Sequence, residues 1–116
     1  TIRKIHSFAN LPPRWYYGEG QPIAGPVIDK AVQLIELTSS FKNFSTNARP
    51  SSNGAIIITL SMQDHFLDIT VNPNLSLDMT YEIGTGQNYS TIYNESNVFI
   101  NNIFSALANI QNTITR

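Results

Sequence analysis

From Ile56 to Ile83 apolar and polar residues alternate with a period of two, the pattern of strands that bury one face and wet the other. Ile56, Ile58, Leu60 and Met62 share a face of a first strand, Leu67, Ile69 and Val71 that of a second, and Leu77, Met79, Tyr81 and Ile83 that of a third. Because a slip of one residue turns every side chain over, this pattern also selects the turns. A two-residue turn at Gln63-Asp64 pairs Leu60 with Leu67 and Ile58 with Ile69, all inward. A two-residue turn at Pro73-Asn74 would set Ile69 against Asp78 and is rejected. A three-residue loop, Pro73-Asn74-Leu75, instead pairs Ile69 with Met79 and Val71 with Leu77. The last residue of such a loop takes the left-handed conformation and favours glycine. Leu75 is therefore predicted to be strained, by roughly 1 kcal/mol.

Helical periodicity flanks the strands. After Pro26, which suits a first helical position, Val27, Ile28, Ala31, Leu34, Ile35 and Thr38 recur at three-and-four spacing, with Asp29, Lys30, Gln33 and Glu36 opposite. Phe99, Ile103, Leu107, Ile110 and Ile114, joined by Ile100, Phe104 and Ala106, predict a second amphipathic helix from about Ser96, capped by Ser96 or Asn94. Residues 39–53 are rich in Ser, Thr and Asn and read as a loop. Tyr89, Thr91 and Tyr93 alternate after the Gly84–Gly86 turn and suggest a short fourth strand at the edge. Residues 1–25 hold Pro12, Pro13, Gly18, Gly20, Pro22 and Gly25 and read as a loop-rich, aromatic lead-in. The expected architecture is one α+β domain over residues 1–116: an antiparallel three- to four-stranded meander with two helices packed on its apolar face.

Composition narrows the function. Charged residues are only 13%, against a usual ~25%, and the net charge is -1, which cannot drive non-specific nucleic-acid binding. No apolar run approaches the ~18 residues of a membrane helix, and no signal-peptide pattern opens the chain. A chain that starts at Thr1 is compatible with a further segment upstream. With no cysteine there is no disulfide, thiolate nucleophile or Cys-type zinc site, which fits a cytoplasmic protein. His6 and His65 have no ligand-like spacing to carboxylates, so no metal is expected. Gly18-Glu19-Gly20 lacks the strand, third Gly and Lys of a phosphate loop, and there is no Gly-x-Ser-x-Gly or Ser-x-x-Lys, so no cofactor and no catalytic residue is assigned.

Two groups remain. Trp15, Tyr16 and Tyr17, with Phe8 nearby, form the densest aromatic cluster, and such residues dominate interface energetics. Asp68, Asp78 and Glu82 project from the polar face of the sheet, with Asp68 opposite Thr80 and Thr70 opposite Asp78. Residues 51–116 hold five acidic and one basic side chain, so a partner with a basic patch is the expected counterpart.

Leu11-Pro12 before Trp15, Gly18-Glu19-Gly20, Pro22-Ile23 and Val27-Ile28-Asp29-Lys30-Ala31 resemble a pattern in a poorly characterised group of small bacterial proteins, where Leu-Pro-x-x-Trp, a Gly-containing segment and a Pro precede a helix. Pro50, Asn53-Gly54 and Ile56 resemble that group's entry to a β-meander, and Asn72-Pro73-Asn74 its Asp-Pro-Asp-Gly turn. Arg14-Trp15-Tyr16 replaces the group's Asn-Trp-Asp, and Leu75 its turn glycine. The resemblance covers about residues 11–83 and implies a place among toxin-antitoxin-like or defence-associated proteins. The expected function is a non-enzymatic protein-binding module, an antitoxin-like inhibitor or adaptor, engaging another protein or a second copy of itself through Trp15, Tyr16, Tyr17, Asp68, Asp78 and Glu82. A small-molecule sensor holding its ligand between helices and sheet, and an enzyme using surface carboxylates, stand as alternatives.

Overall fold

The computed structural model describes residues 1–11 and 21–114 of the chain. Its frame is one antiparallel sheet whose five strands follow in chain order: β1 (Ser45–Pro50), β2 (Ile56–Met62), β3 (His65–Val71), β4 (Leu77–Thr85) and β5 (Asn88–Glu95). Among the described residues three helices accompany it: α1 (Ile2–Ser7), extended by a 3₁₀ turn at Phe8–Asn10, α2 (Gly25–Thr38) and α3 (Ile100–Ile114). The chain is an α+β protein, with five strands among the described residues rather than three or four.

The inner registers are those set by parity. Ile58 pairs with Ile69 and Leu60 with Leu67, and Ile69 pairs with Met79 and Val71 with Leu77. Gln63 adopts φ +53° in the β2–β3 turn, and Leu75 sits at φ +71° in the β3–β4 loop. The Leu75 amide donates to the Asn72 carbonyl at 2.8 Å and the Asn72 amide to the Ser76 carbonyl at 2.9 Å, closing that loop around a residue that carries a Cβ where glycine is favoured.

The strand the pattern missed is β1. Its only buried residue is Ala48, so no alternation marks it; it is held by pairing Ala48 with Ile58 and Arg49 with Ile57. The Asn53-Gly54 turn returns the chain into β2, with Asn53 Oδ1 accepting the Ala55 amide at 3.1 Å. Glycine is required there: Gly54 has φ +90°, and a Cβ on it would lie 3.2 Å from the Pro22 carbonyl oxygen. At the other edge, β5 is longer than a short strand and carries an irregularity. Tyr93 pairs with Tyr81 but Thr91 with Glu82, leaving Ile92 as an extra residue. The bulge reverses the expected alternation, placing Tyr89 and Thr91 on the outer face and Tyr93 on the inner one.

Two further boundaries moved. The lead-in is not all loop: α1 and its 3₁₀ turn bury Ile5 and Phe8 in the core, so Phe8 belongs to the interior rather than to an aromatic docking cluster. The last helix begins at Ile100, four residues after Ser96. Asn94 lies in β5 and accepts the Thr80 hydroxyl, while Asn97 takes φ +54° and Asn102 Oδ1 accepts the Phe99 amide at 2.8 Å. The connection is tied to β4 by the Val98 amide donating to the Leu77 carbonyl at 2.8 Å, which costs the helix its first expected turn.

α2 buries Val27, Ile28, Ala31 and Leu34, and its buried Thr38 satisfies its hydroxyl on the Leu34 carbonyl at 2.8 Å. α3 buries Ile103, Ala106, Leu107 and Ile110. These side chains and the inward residues of β2, β3 and β4 form one hydrophobic cluster. The outward residues Thr59, Phe66, Asp68, Thr70, Asp78, Thr80 and Glu82 are half-buried, as on a sheet face that meets water.

Candidate functional site

The register brings Arg49, Thr59, Phe66, Asp68, Glu82 and Tyr89 together on the outer face, around a shallow cleft of about 250 Å³. Asp68 pairs with Thr80 and Glu82 with Phe66, so the two carboxylates are diagonal neighbours on adjacent strands. The Thr59 hydroxyl donates to Asp68 Oδ1 at 2.5 Å. Phe66 meets Tyr89 edge to face, ring centroids 5.4 Å apart, and Tyr89 remains 62% exposed. An aromatic pair, Tyr89 exposed and Phe66 half-buried, thus stands beside two acids and one guanidinium. Arg49 comes from β1, whose addition to the sheet supplies the positive charge that a face drawn from the acidic half alone lacked.

Asp78, expected to act with the other two acids, is engaged elsewhere. It accepts the Asn72 side-chain amide on Oδ2 at 3.0 Å and the Asn97 backbone amide on Oδ1 at 3.2 Å, tying the β3–β4 loop to the β5–α3 connection. Sequence register placed it on the correct face but could not show this use. Trp15, Tyr16 and Tyr17 lie outside the described residues.

A second concavity, about 510 Å³, escaped the sequence reading. One wall is α2 at Lys30, Gln33, Leu34 and Leu37, and the other is Leu75–Leu77 with Asn97–Ile100. Leu37, Leu75 and Phe99 on its lining are 45%, 38% and 77% exposed. Phe99 was expected to face the core; the displaced helix start puts it outside. The usable signal was the spacing 30, 33, 34 and 37, which places a second, partly apolar stripe beside the core stripe of α2.

The inner face carries a polar contact near the distal end of the sheet. His65 Nδ1 and Tyr81 Oη share a hydrogen bond of 2.5 Å, and Tyr81 packs edge to face on Tyr93. Burial raises the Tyr81 pKa above its ordinary 10.0; Tyr93 is raised first by burial, then by Glu95 and Tyr81. A phenol that holds its proton more tightly folded than unfolded contributes stability that is intact below the ordinary value and is lost as pH rises through the folded value. The melting midpoint is therefore expected to fall as pH passes above about 10. A Tyr81→Phe/Tyr93→Phe variant should show a shallower decline, and equal slopes in the two proteins would refute this assignment.

Among the described residues no group of three or more His, Cys, Asp or Glu is placed to hold a metal ion, and no helix is long and apolar enough to cross a membrane. Comparison with protein-family models, with curated proteins and with solved structures finds no match.

Proposed function

We propose that the chain is a non-enzymatic protein-binding module, an antitoxin-like inhibitor or adaptor of the bacterial cytoplasm, that engages a basic patch of its partner through the outer face of the sheet. In this reading both long helices cover the inner face and leave the outer one for the partner. The observation that carries it is the Phe66–Tyr89 pair set among Asp68, Glu82 and Arg49. An exposed tyrosine braced on a half-buried phenylalanine and ringed by charge suits an interface anchor: the ring supplies area at low entropic cost, and the charges set orientation and association rate. The carboxylates suit recognition better than proton transfer, since Asp68 already accepts a hydroxyl and Asp78 serves two loops. The antitoxin-like role follows the resemblance of residues 11–83 to the small bacterial proteins.

The test is retention of a stoichiometric protein from source lysate by the immobilised chain, repeated with Tyr89→Ala and with Asp68→Lys/Glu82→Lys. Truncating an anchor costs about 2 kcal/mol or more, so each variant should bind at least ~30-fold more weakly with an unchanged circular dichroism spectrum. Equal retention by all three proteins would remove the outer face from the interaction.

A further inference from the structure

Of the five exposed large hydrophobic residues among those described, Leu37, Leu75 and Phe99 converge on the groove between α2, the β3–β4 loop and the β5–α3 connection. Scattered exposed apolar residues need no explanation, but a cluster around one concavity does. We propose that this groove is a second docking site, distinct from the outer face, for a short peptide segment of a partner protein that carries an apolar side chain close to a carboxylate.

Three observations select that occupant. The groove is partly open to solvent, so it suits a side chain presented by a peptide better than a small ligand, whose sites bury most of its surface. Among the described residues, Lys30 is the one charged residue on its lining. Positions 26, 27, 33 and 34, one turn either side of Lys30 on α2, hold Pro, Val, Gln and Leu, so no helical neighbour neutralises the ammonium. A carboxylate of the partner supplies that counter-charge while its apolar neighbour fills the Leu34, Leu37 and Leu75 surface.

The third observation is Leu75 itself. It occupies a left-handed position, φ +71°, where glycine is favoured, yet it presents a large apolar side chain to the groove. Strained residues persist where the surroundings hold them, and they gather at binding sites. Asn97, at φ +54° on the same wall, is held by Asp78, so the wall facing α2 is set in advance.

The experiment selects peptides from a phage-displayed random heptapeptide library on the full chain and measures the enriched sequences as synthetic peptides. Enrichment of Leu, Ile or Phe within three positions of Asp or Glu is expected, with amide NMR shifts at Leu37, Leu75 and residues 97–100. Lys30→Glu should turn the selected charge to Lys or Arg. Leu75→Gly should weaken the peptide at least ~10-fold while raising the melting midpoint by about 2 °C, because relief of the left-handed side chain outweighs the added freedom of the unfolded chain. No merely structural role of Leu75 gives that combination. The proposal is overturned by selection of no common sequence, by selection indifferent to Lys30→Glu, or by shifts confined to the outer face. It is equally overturned if Leu75→Gly keeps full affinity or melts lower. Concentration-dependent dimerisation abolished by Phe99→Ser would assign the groove to a second copy instead, and tight binding of decanoate without peptide selection would assign it to a small amphiphile.

Discussion

Ile69→Ala is expected to lower the stability of the protein by about 3 to 4 kcal/mol and its melting midpoint by roughly 15 °C. Ile69 is fully buried on β3, the central strand, with Ile58 and Met79 as its cross-strand partners on the inner face. The substitution removes three carbons from the middle of the cluster that joins sheet and helices, and the loss combines their transfer energy with that of the cavity left behind. Met79, its flexible cross-strand partner, can lean into the space, which keeps the expected value below the ~5 kcal/mol seen where nothing relaxes. Native domains are stable by only ~5 to 15 kcal/mol, so the variant should be visibly unfolded at 37 °C at the low end of that range. Urea titration checks it: the midpoint should fall with the slope unchanged. Thr70→Ala, one residue away on the outer face, should stay within about 0.5 kcal/mol. A small effect at Ile69, or a large one at Thr70, would contradict the assignment of inner and outer faces.

That pair also shows which parts of the fold could be read in advance. Where a strand buries one face, its period of two is written in residue type, so the facing of Ile58, Ile69 and Met79 followed directly, and so did the positive φ of Leu75, since only a three-residue loop keeps both neighbours inward. β1 was hidden because an edge strand whose one buried residue is Ala48 carries no such signal; its existence depends on β2 offering a partner. The start of α3 was misplaced for a related reason. Residues 96–99 fit a helical pattern, but the Val98 amide is bound to Leu77 and the Asn97 amide to Asp78, long-range bonds that no local rule contains. Phe99 lost its expected place in the core with them. On the outer face, Asp68 and Glu82 were legible as neighbours, whereas the Phe66–Tyr89 contact required the Ile92 bulge to turn Tyr89 outward. The groove was the least legible element, because its walls come from three segments far apart in the chain.

The two surfaces lie on different parts of the molecule and, among the described residues, differ in chemistry, one acidic and aromatic around a single arginine, the other aliphatic around a single lysine. On the two proposals taken together, a partner that uses a basic patch on one surface and an acidic, apolar segment on the other suits an adaptor rather than a simple plug. Such a layout predicts separable loss of the two interactions, and Asp78 provides the sharpest separation because it touches the loops of one surface while sitting on the face of the other.

Asp78→Ala is expected to lower stability by about 2 kcal/mol. The substitution leaves the Asn72 side-chain amide and the Asn97 backbone N–H without the carboxylate that now accepts both, at 3.0 and 3.2 Å, and hydrogen bonds to a charged acceptor contribute about 1.5 to 3 kcal/mol where shielded and less where wet. The half-buried setting of Asp78 places the sum toward the lower part of that range. Asn97 would then hold φ +54° with less support, so the wall of the groove formed by residues 97–100 should loosen and peptide affinity there should fall with stability. Asp78→Asn should cost about half as much, since its carbonyl can still accept the Asn97 amide while its own amino group meets that of Asn72. Retention of a partner by the outer face should be unchanged in both variants. If instead Asp78→Ala melts like the parent but releases that partner, the carboxylate is a contact residue as its strand position alone suggested, and the tie between the two loops is dispensable.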